Sequence, residues 1–380
     1  MSAYHEILDA IRGADTYHEK IQLAEYLARA LQQGKRPDAA DAKILADFAM
    51  SEIRALPSII EATERTRERD AVCQYGNVMP AFLMTAYKFP NDLSEADQAS
   101  IRTLVEAIRR EQFMEMAMAE MFDEGIPAAA DLDRLLCMVA PLKDEYRKGS
   151  FFSGLLNYRD RVSKLSSEAK GTLARYTASE LRRCLSMEAF DEEVQITLEV
   201  MVDACSLYLT DELADLITEV MERCNHATMY FAASTLLTAG KPVPDAVIDT
   251  LARDLVHADG LYQDLCRAGQ AARFPAELAN DEYLAKSDMI HWLTYPTELG
   301  QVPDEIEYLG RVKKGLFKGE VFHVFRFKSD SDTLGDERKD KWLIGWSGEE
   351  DGTFSNFDLY DEYAGATPEQ TLKNIKRKLL

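Results

Sequence analysis

The sequence predicts a predominantly α fold: an antiparallel helical-repeat (HEAT-like) solenoid followed by a small α+β domain with an antiparallel sheet. Three observations predict it. Apolar residues recur at helical spacing for almost 300 residues. The pattern changes near Pro296 to short alternating runs. A loose repeat also runs through the helical part. Residues 124–138 read EGIPAAADLDRLLCM and residues 239–254 read AGKPVPDAVIDTLARD. In both, a Gly is followed two positions on by Pro and then by an Asp-bearing helix start. Gly125 and Gly240 lie 115 residues apart, about three repeats of ~38, a period that suits stacked helix pairs.

Taken in order, the spacing predicts helices over 2–12, 16–33 and 40–56. Pro57 should then break or kink the pattern, because it has no N–H to donate and its ring crowds the preceding turn. A further helix is expected to about Asp70, then one over 78–88 and a Phe-Pro-Asn-Asp loop at 89–92. Ser94 with Asp97 forms an N-terminal cap for a helix to about Arg110. Helices follow near 112–123, 128–139, 144–158, 167–186, 191–207, 211–224, 226–238, 244–257 and 259–270. Connections of a few residues make successive helices antiparallel neighbours.

Beyond Pro296, Ile306 and Tyr308 alternate with Glu305, Glu307 and Arg311, and Val321 to Phe327 is dense in aromatic and β-branched residues. Trp342, Ile344 and Trp346 share one face at period two. Thr367-Pro-Glu-Gln is a helix start with Thr as cap, Pro at the first helical position and Gln370 closing a capping box. The expected organisation is a solenoid over 1–290, a junction at 291–302, and a module of three or four strands plus a C-terminal helix over 303–380.

The junction reads His291-Trp-Leu-Thr-Tyr-Pro-Thr-Glu-Leu-Gly-Gln-Val-Pro-Asp-Glu-Ile-Glu. It resembles the join in a group of bacterial HEAT-repeat proteins of unassigned function, where helical repeats run into a W-L-x-x-P-T-E-L-G-like turn and a β-rich module. The motif covers some 20 residues. The resemblance implies solenoid plus module and transfers no catalytic residue.

Charge restricts the function. The net charge is −22, with 31 basic against 50 acidic residues in 1–302 and 13 against 16 in 303–380. So acidic a helical region repels phosphate backbones, which argues against nucleic-acid binding. No run reaches the ~18 apolar residues of a membrane span. The opening MSAYHEILDAIRGAD has no apolar signal core, and the six cysteines are scattered singly. Together these place the expectation in the cytoplasm.

Within the acidic region, residues 191–222 hold ten acids and no Lys or Arg. Glu192, Glu199 and Asp203 share one helix face, and Asp211, Asp215, Glu219 and Glu222 share another. Like charges at i,i+4 repel by about a few tenths of a kcal/mol each. The rows read either as a ridge for a basic partner or as a solvated face. Trp292, Tyr295, Trp342 and Trp346 form a junction aromatic set, for packing or for recognition.

Metal chemistry is unsupported. Asp330 and Asp332 open an Asp-x-Asp run, but Leu334 and Lys341 stand where an EF-hand needs ligands. His18-Glu19 lacks the second His of a zinc-protease motif. Phosphate-loop and nucleophile-elbow motifs are absent too. The expectation is a non-enzymatic scaffold or adaptor that binds another protein with a basic surface, without cofactor, metal or catalytic residues. One alternative is an immunity- or antitoxin-like inhibitor of a basic protein. A second is an enzyme with a junction site built from His291, Glu298 or His323.

Overall fold

A computed structural model describes residues 3–33, 37–86, 94–108, 122, 125–140, 145–314, 320–348, 353–356, 367–371 and 373. The protein is mostly helical, with a small antiparallel sheet toward its C-terminus. It divides into two compact units, Met1–Glu219 and Val220–Leu380. The last helices therefore belong with the sheet, and the unit boundary falls well before the change of pattern near Pro296.

The first unit contains α1 (Ala3–Gly13), α2 (Tyr17–Gln33), α3 (Ala39–Thr63), α4 (Arg69–Ala86) and α5 (Glu95–Ile108). It continues with α6 (Ala129–Val139), α7 (Glu145–Asn157), the single turn α8 (Arg159–Val162), α9 (Ser167–Leu185) and α10 (Glu192–Ala204). Helix α11 (Asp211–Met221) follows, and the unit ends within it, at Glu219. The first helices pack locally: α1 on α2 and α3, α2 on α4, α3 on α4 and α5, and α4 on α5.

Helix starts follow local chemistry. The carboxylate of Asp38 accepts from the N–H groups of Ala40 and Asp41. The Ser94 hydroxyl accepts the Asp97 N–H at 3.2 Å and donates to its carboxylate at 2.7 Å. Ser166 and Asp191 accept the third N–H of α9 and α10.

Pro57 does not break its helix, and two other expectations need correction. Pro57 lies inside α3, which runs on to Thr63. The lost hydrogen bond costs about 3 kcal/mol, but Ile53, Leu56 and Ile60 on either side are fully buried and hold the helix in place. Helix α4 begins at Arg69, nine residues before its expected start, because Val72, Tyr75, Met79 and Phe82 form one buried stripe. The helix at Asp281–Leu293 falls mostly within the span expected to be solenoid, but the spacing delimits none there. The Phe-Pro-Asn-Asp loop, the helix near 112–123 and most of the C-terminal helix lie outside the described residues.

A charged network is buried between α7 and α9. The Lys148 ammonium donates to Glu180 at 2.9 Å, with side chains only 4% and 7% exposed. Arg183 donates to Glu180 at 2.8 Å and to Glu145 at 2.7 Å. Burial would lower the Arg183 pKa, but the hydrogen bonds to Glu180 and Glu145 outweigh it and raise it. Thr197 of α10 donates to the Glu145 carbonyl at 2.7 Å, bringing a third helix to the same point. Phe151, Phe152 and Tyr176 pack beside it with ring centroids 5.2 to 6.0 Å apart.

The second unit contains α12 (His226–Thr238), α13 (Asp245–Arg253), α14 (Ala258–Arg267) and α15 (Asp281–Leu293). Strands β1 (Glu305–Lys314), β2 (Glu320–Lys328), β3 (Leu343–Gly348) and the short β4 (Phe354–Asn356) follow. The strands are antiparallel in the order β1-β2-β3-β4. One sheet face buries Phe325, Phe327 and Leu343 against Ala285, Met289 and Leu293 of α15. The other buries Val312, Phe322, Val324, Ile344 and Trp346.

Strand β1 serves both clusters. Ile306 and Tyr308 pack on the first, Leu309 and Val312 on the second. A strict period of two would keep 306, 308 and 312 on one face. A bulge between Tyr308 and Gly310 resets the parity. Gly310 sits there at φ +151°, and a Cβ at this position would lie 2.9 Å from the Pro368 ring. Thr367 and Gln370 form the expected capping box, with bonds of 2.9 and 3.3 Å.

Two outcomes test this packing. Glu180→Gln leaves Lys148 and Arg183 short of a buried counter-charge and should destabilise the protein by about 3–5 kcal/mol, measured by urea denaturation. Gly310→Ala should cost about 1–3 kcal/mol through backbone strain and the clash with Pro368, measured as a lowered Tm.

Candidate functional site

The acidic rows come from α10 and α11. Val194, Leu198 and Met201 of α10 are buried, as are Leu213, Ile217 and Val220 of α11. This burial turns Glu192, Asp211, Asp215 and Glu219 outward, where all four are exposed. Glu222, just beyond α11, is exposed as well.

The rest of the row is less open. Glu199 and Asp203 are half-buried. Asp203 lies 3.5 Å from the Arg159 guanidinium. Burial raises its carboxyl above the usual range, with Arg159 opposing. Asp191 is spent on the α10 cap, and Glu212 pairs with Arg182. The exposed face therefore reduces to Glu192 on α10, the Asp211-Asp215-Glu219 row on α11, and Glu222 just beyond it.

The four junction aromatics do not form one surface. Trp342 lies beneath the Arg326 guanidinium and the Lys328 ammonium, 4.3 and 4.4 Å from its ring centroid. These two cations also pair across the strands with Glu307 and Glu305, their register partners. Trp346 is buried in the second sheet cluster. Only Trp292 and Tyr295 come together, with ring centroids 5.9 Å apart.

Those two rings form one wall of a cleft of about 470 Å³ within the second unit. Helix α15 supplies Asp281, Leu284, Ala285, Asp288 and His291 to it, and α14 supplies Asp259 and Gln263. The sheet supplies His323 and Ser347, which are register partners on β2 and β3, with Gly348 and Thr353 beside them. Both histidines considered for a junction site thus line the cleft. Glu298 does not. It accepts from the Ser355 hydroxyl, which in turn accepts the Trp292 indole N–H at 3.2 Å, so Glu298 fixes Trp292 from behind.

Polar contacts hold the lining in place. Asp288 accepts from the hydroxyls of Ser347, at 2.7 Å, and Thr353. Asp259 accepts from the Gln263 amide at 2.6 Å, and its backbone N–H donates to Ser287 at 2.8 Å. Burial, and then the nearby Asp288 charge, push the Asp259 carboxyl up to about 6. His291 sits at the rim, where partial enclosure and then His257 hold its imidazole below the usual range and Asp288 pulls the other way. His323 is buried, its Nδ1 3.3 Å from the Tyr308 hydroxyl.

Nearby, Asp254 lies 2.9 Å from the Nδ1 atoms of both His226 and His257. Burial acts to raise Asp254. Hydrogen bonds from His257, the Val256 N–H and His226 outweigh it and lower the carboxyl to about 2.

Asp259, Gln263, Asp288, Ser347 and Thr353 escaped the reading of the sequence. A signal was present. Asp281, Asp288 and Trp292 recur at i, i+7 and i+11, beside the apolar stripe of Ala285, Met289 and Leu293.

Among the described residues, no three His, Cys, Asp or Glu side chains are grouped to hold a metal ion. Asp332 is instead 2.7 Å from Lys339, and Leu334 is buried in the first sheet cluster. No helix among them is long and apolar enough to cross a membrane.

The raised Asp259 pKa has a definite sign. Between pH 4 and 6 the folded protein keeps a proton that the unfolded chain has released, so stability falls as pH rises through that window. Asp259→Asn should therefore stabilise the protein by about 1–2 kcal/mol above pH 6 and have little effect near pH 4. Thermal unfolding across pH 4–8 measures both limits.

No family model matches the chain, and neither a curated protein nor a solved structure matches it significantly.

Proposed function

We propose that this protein is a non-catalytic binding scaffold, a HEAT-like helical array that captures a basic protein partner on its acidic face. Local packing among the first helices, α1 on α2 and α3, α2 on α4, and α3 on α4 and α5, supports the array. The same adjacency recurs in the second unit, where α12 packs on α13 and α14, and α14 on α13 and α15.

The observation that carries the binding role is the exposed Asp211-Asp215-Glu219 row, within a stretch of 32 residues without Lys or Arg. Like charges one turn apart raise the energy of the free helix, and an opposing basic surface removes that repulsion. Attraction of this kind speeds encounter and weakens with salt. One specific form is an inhibitor that masks a basic active surface, in the manner of an immunity protein. Neutralisation of a toxic neighbouring gene product on co-expression distinguishes that form from a general adaptor.

Reversal of Asp211, Asp215 and Glu219 to Lys should leave the fold intact, since all three are exposed. Affinity capture at low salt, with bound proteins identified by mass, should lose its basic partner by about tenfold or more. Capture that withstands both the reversal and high salt overturns the acidic-face reading.

A further inference from the structure

The cleft beside Trp292 is a feature that the scaffold role does not use. Among the described residues, its lining contains three aspartates, two histidines, the hydroxyls of Ser347 and Thr353, and the rings of Trp292 and Tyr295, with no Lys or Arg. Arg311 reaches Asp281 at 3.5 Å from outside the lining. Asp259 and Asp288 have only neutral hydrogen-bond donors among the described residues: Gln263 for the first, Ser347 and Thr353 for the second. Two neighbouring carboxylates held this way are oriented but not neutralised.

An anion would meet the wrong sign, and a neutral polyol would leave the charge uncompensated. Among the described residues, a divalent ion has no grouped set of three ligands here. A cationic head with an apolar stem fits every wall. Its positive end meets Asp259 and Asp288, and its stem or π face meets Trp292 and Tyr295. The volume of about 470 Å³ is that of a small-ligand pocket.

We propose that this cleft binds a guanidinium or alkylammonium group, with Asp259 and Asp288 as counter-charges and Trp292 and Tyr295 as the aromatic wall. The same chemistry is offered by a free organic cation and by an arginine or lysine side chain. The site stands independently of the acidic face on α10 and α11.

Binding should be linked to a proton. Asp259 carries its own proton below about pH 6, because of burial and Asp288. The other ionisable groups that line the cleft with it are Asp281 and His291 on α15, Tyr295 just beyond it, and His323 on β2. A cation selects the ionised carboxylate, so affinity should rise with pH through this range and a proton should be released on binding.

Isothermal titration of the full chain tests this with two probes, agmatine and an acetyl-Gly-Arg-Gly-amide peptide. At pH 7.5, saturable one-to-one binding of at least one probe is expected. Agmatine binding points to a free cation, and binding of the peptide alone points to a protein side chain. Affinity should fall about tenfold at pH 5 and about tenfold or more in Asp288→Asn. Asp259→Asn should weaken binding and also remove its dependence on pH between 5 and 7.5. The Lys-reversed α11 variant should bind the probe as the parent does, which separates this site from the acidic face. Absence of binding by both probes, or binding indifferent to Asp259→Asn and Asp288→Asn in folded protein, overturns the proposal.

Discussion

Helix α15 must face two ways, and the second unit is built around that constraint. Ala285, Met289 and Leu293 bury one stripe against Phe325, Phe327 and Leu343 of the sheet. Asp281, Asp288 and Trp292 lie on the stripe beside it and open into the cleft. The apolar stripe supplies the energy that seats the helix. Hydrogen bonds from Ser347 and Thr353 to Asp288, and from Trp292 to Ser355, fix its rotation and height. A shift of α15 along the sheet would break the packing and the polar contacts together.

The first unit solves a different problem. Carboxylates outnumber cations in the chain, and one cation, Lys148, is placed where water is excluded, with Arg183 at the edge of the same network. Lys148 and Arg183 converge on Glu180, and Arg183 also reaches Glu145. Buried ion pairs contribute little net stability over an apolar core of the same shape, yet they penalise any mismatched arrangement heavily. Their value here lies in register: α7, α9 and α10 meet correctly only when all four groups and Thr197 find their partners. The exposed carboxylates of α11 face no such demand and keep their charge at the surface.

Local features of the fold were legible in the sequence, and features that depend on distant residues were not. Ser94 with Asp97, and Thr367 with Gln370, announce their helix starts because both partners lie within one turn. Pro57 does not end its helix, because burial of Ile53, Leu56 and Ile60 outweighs a local penalty. Helix α15 was missed because its polar second stripe blurs the periodicity that marks an ordinary surface helix. The bulge at Gly310 depends on which sheet face each half of β1 must serve, and this is decided by α15. The cleft is the extreme case. Asp259, Asp288 and Ser347 meet only once two helices and two strands are in place. Glu298 looked like a member of that site and instead supports it through Ser355.

The chain contains three tryptophans, and all lie in Val220–Leu380. They occupy three distinct surroundings: the cleft wall, a cradle of two cations, and a sealed sheet face. Indole emission is therefore a private optical channel for the second unit, while the first is silent at tryptophan wavelengths. Comparing that emission with far-ultraviolet circular dichroism, which sees the helices of both units, separates their unfolding without any label. Within the channel, Trp292 lines the cleft, so a ligand bound there changes its emission while the buried Trp346 supplies a constant background.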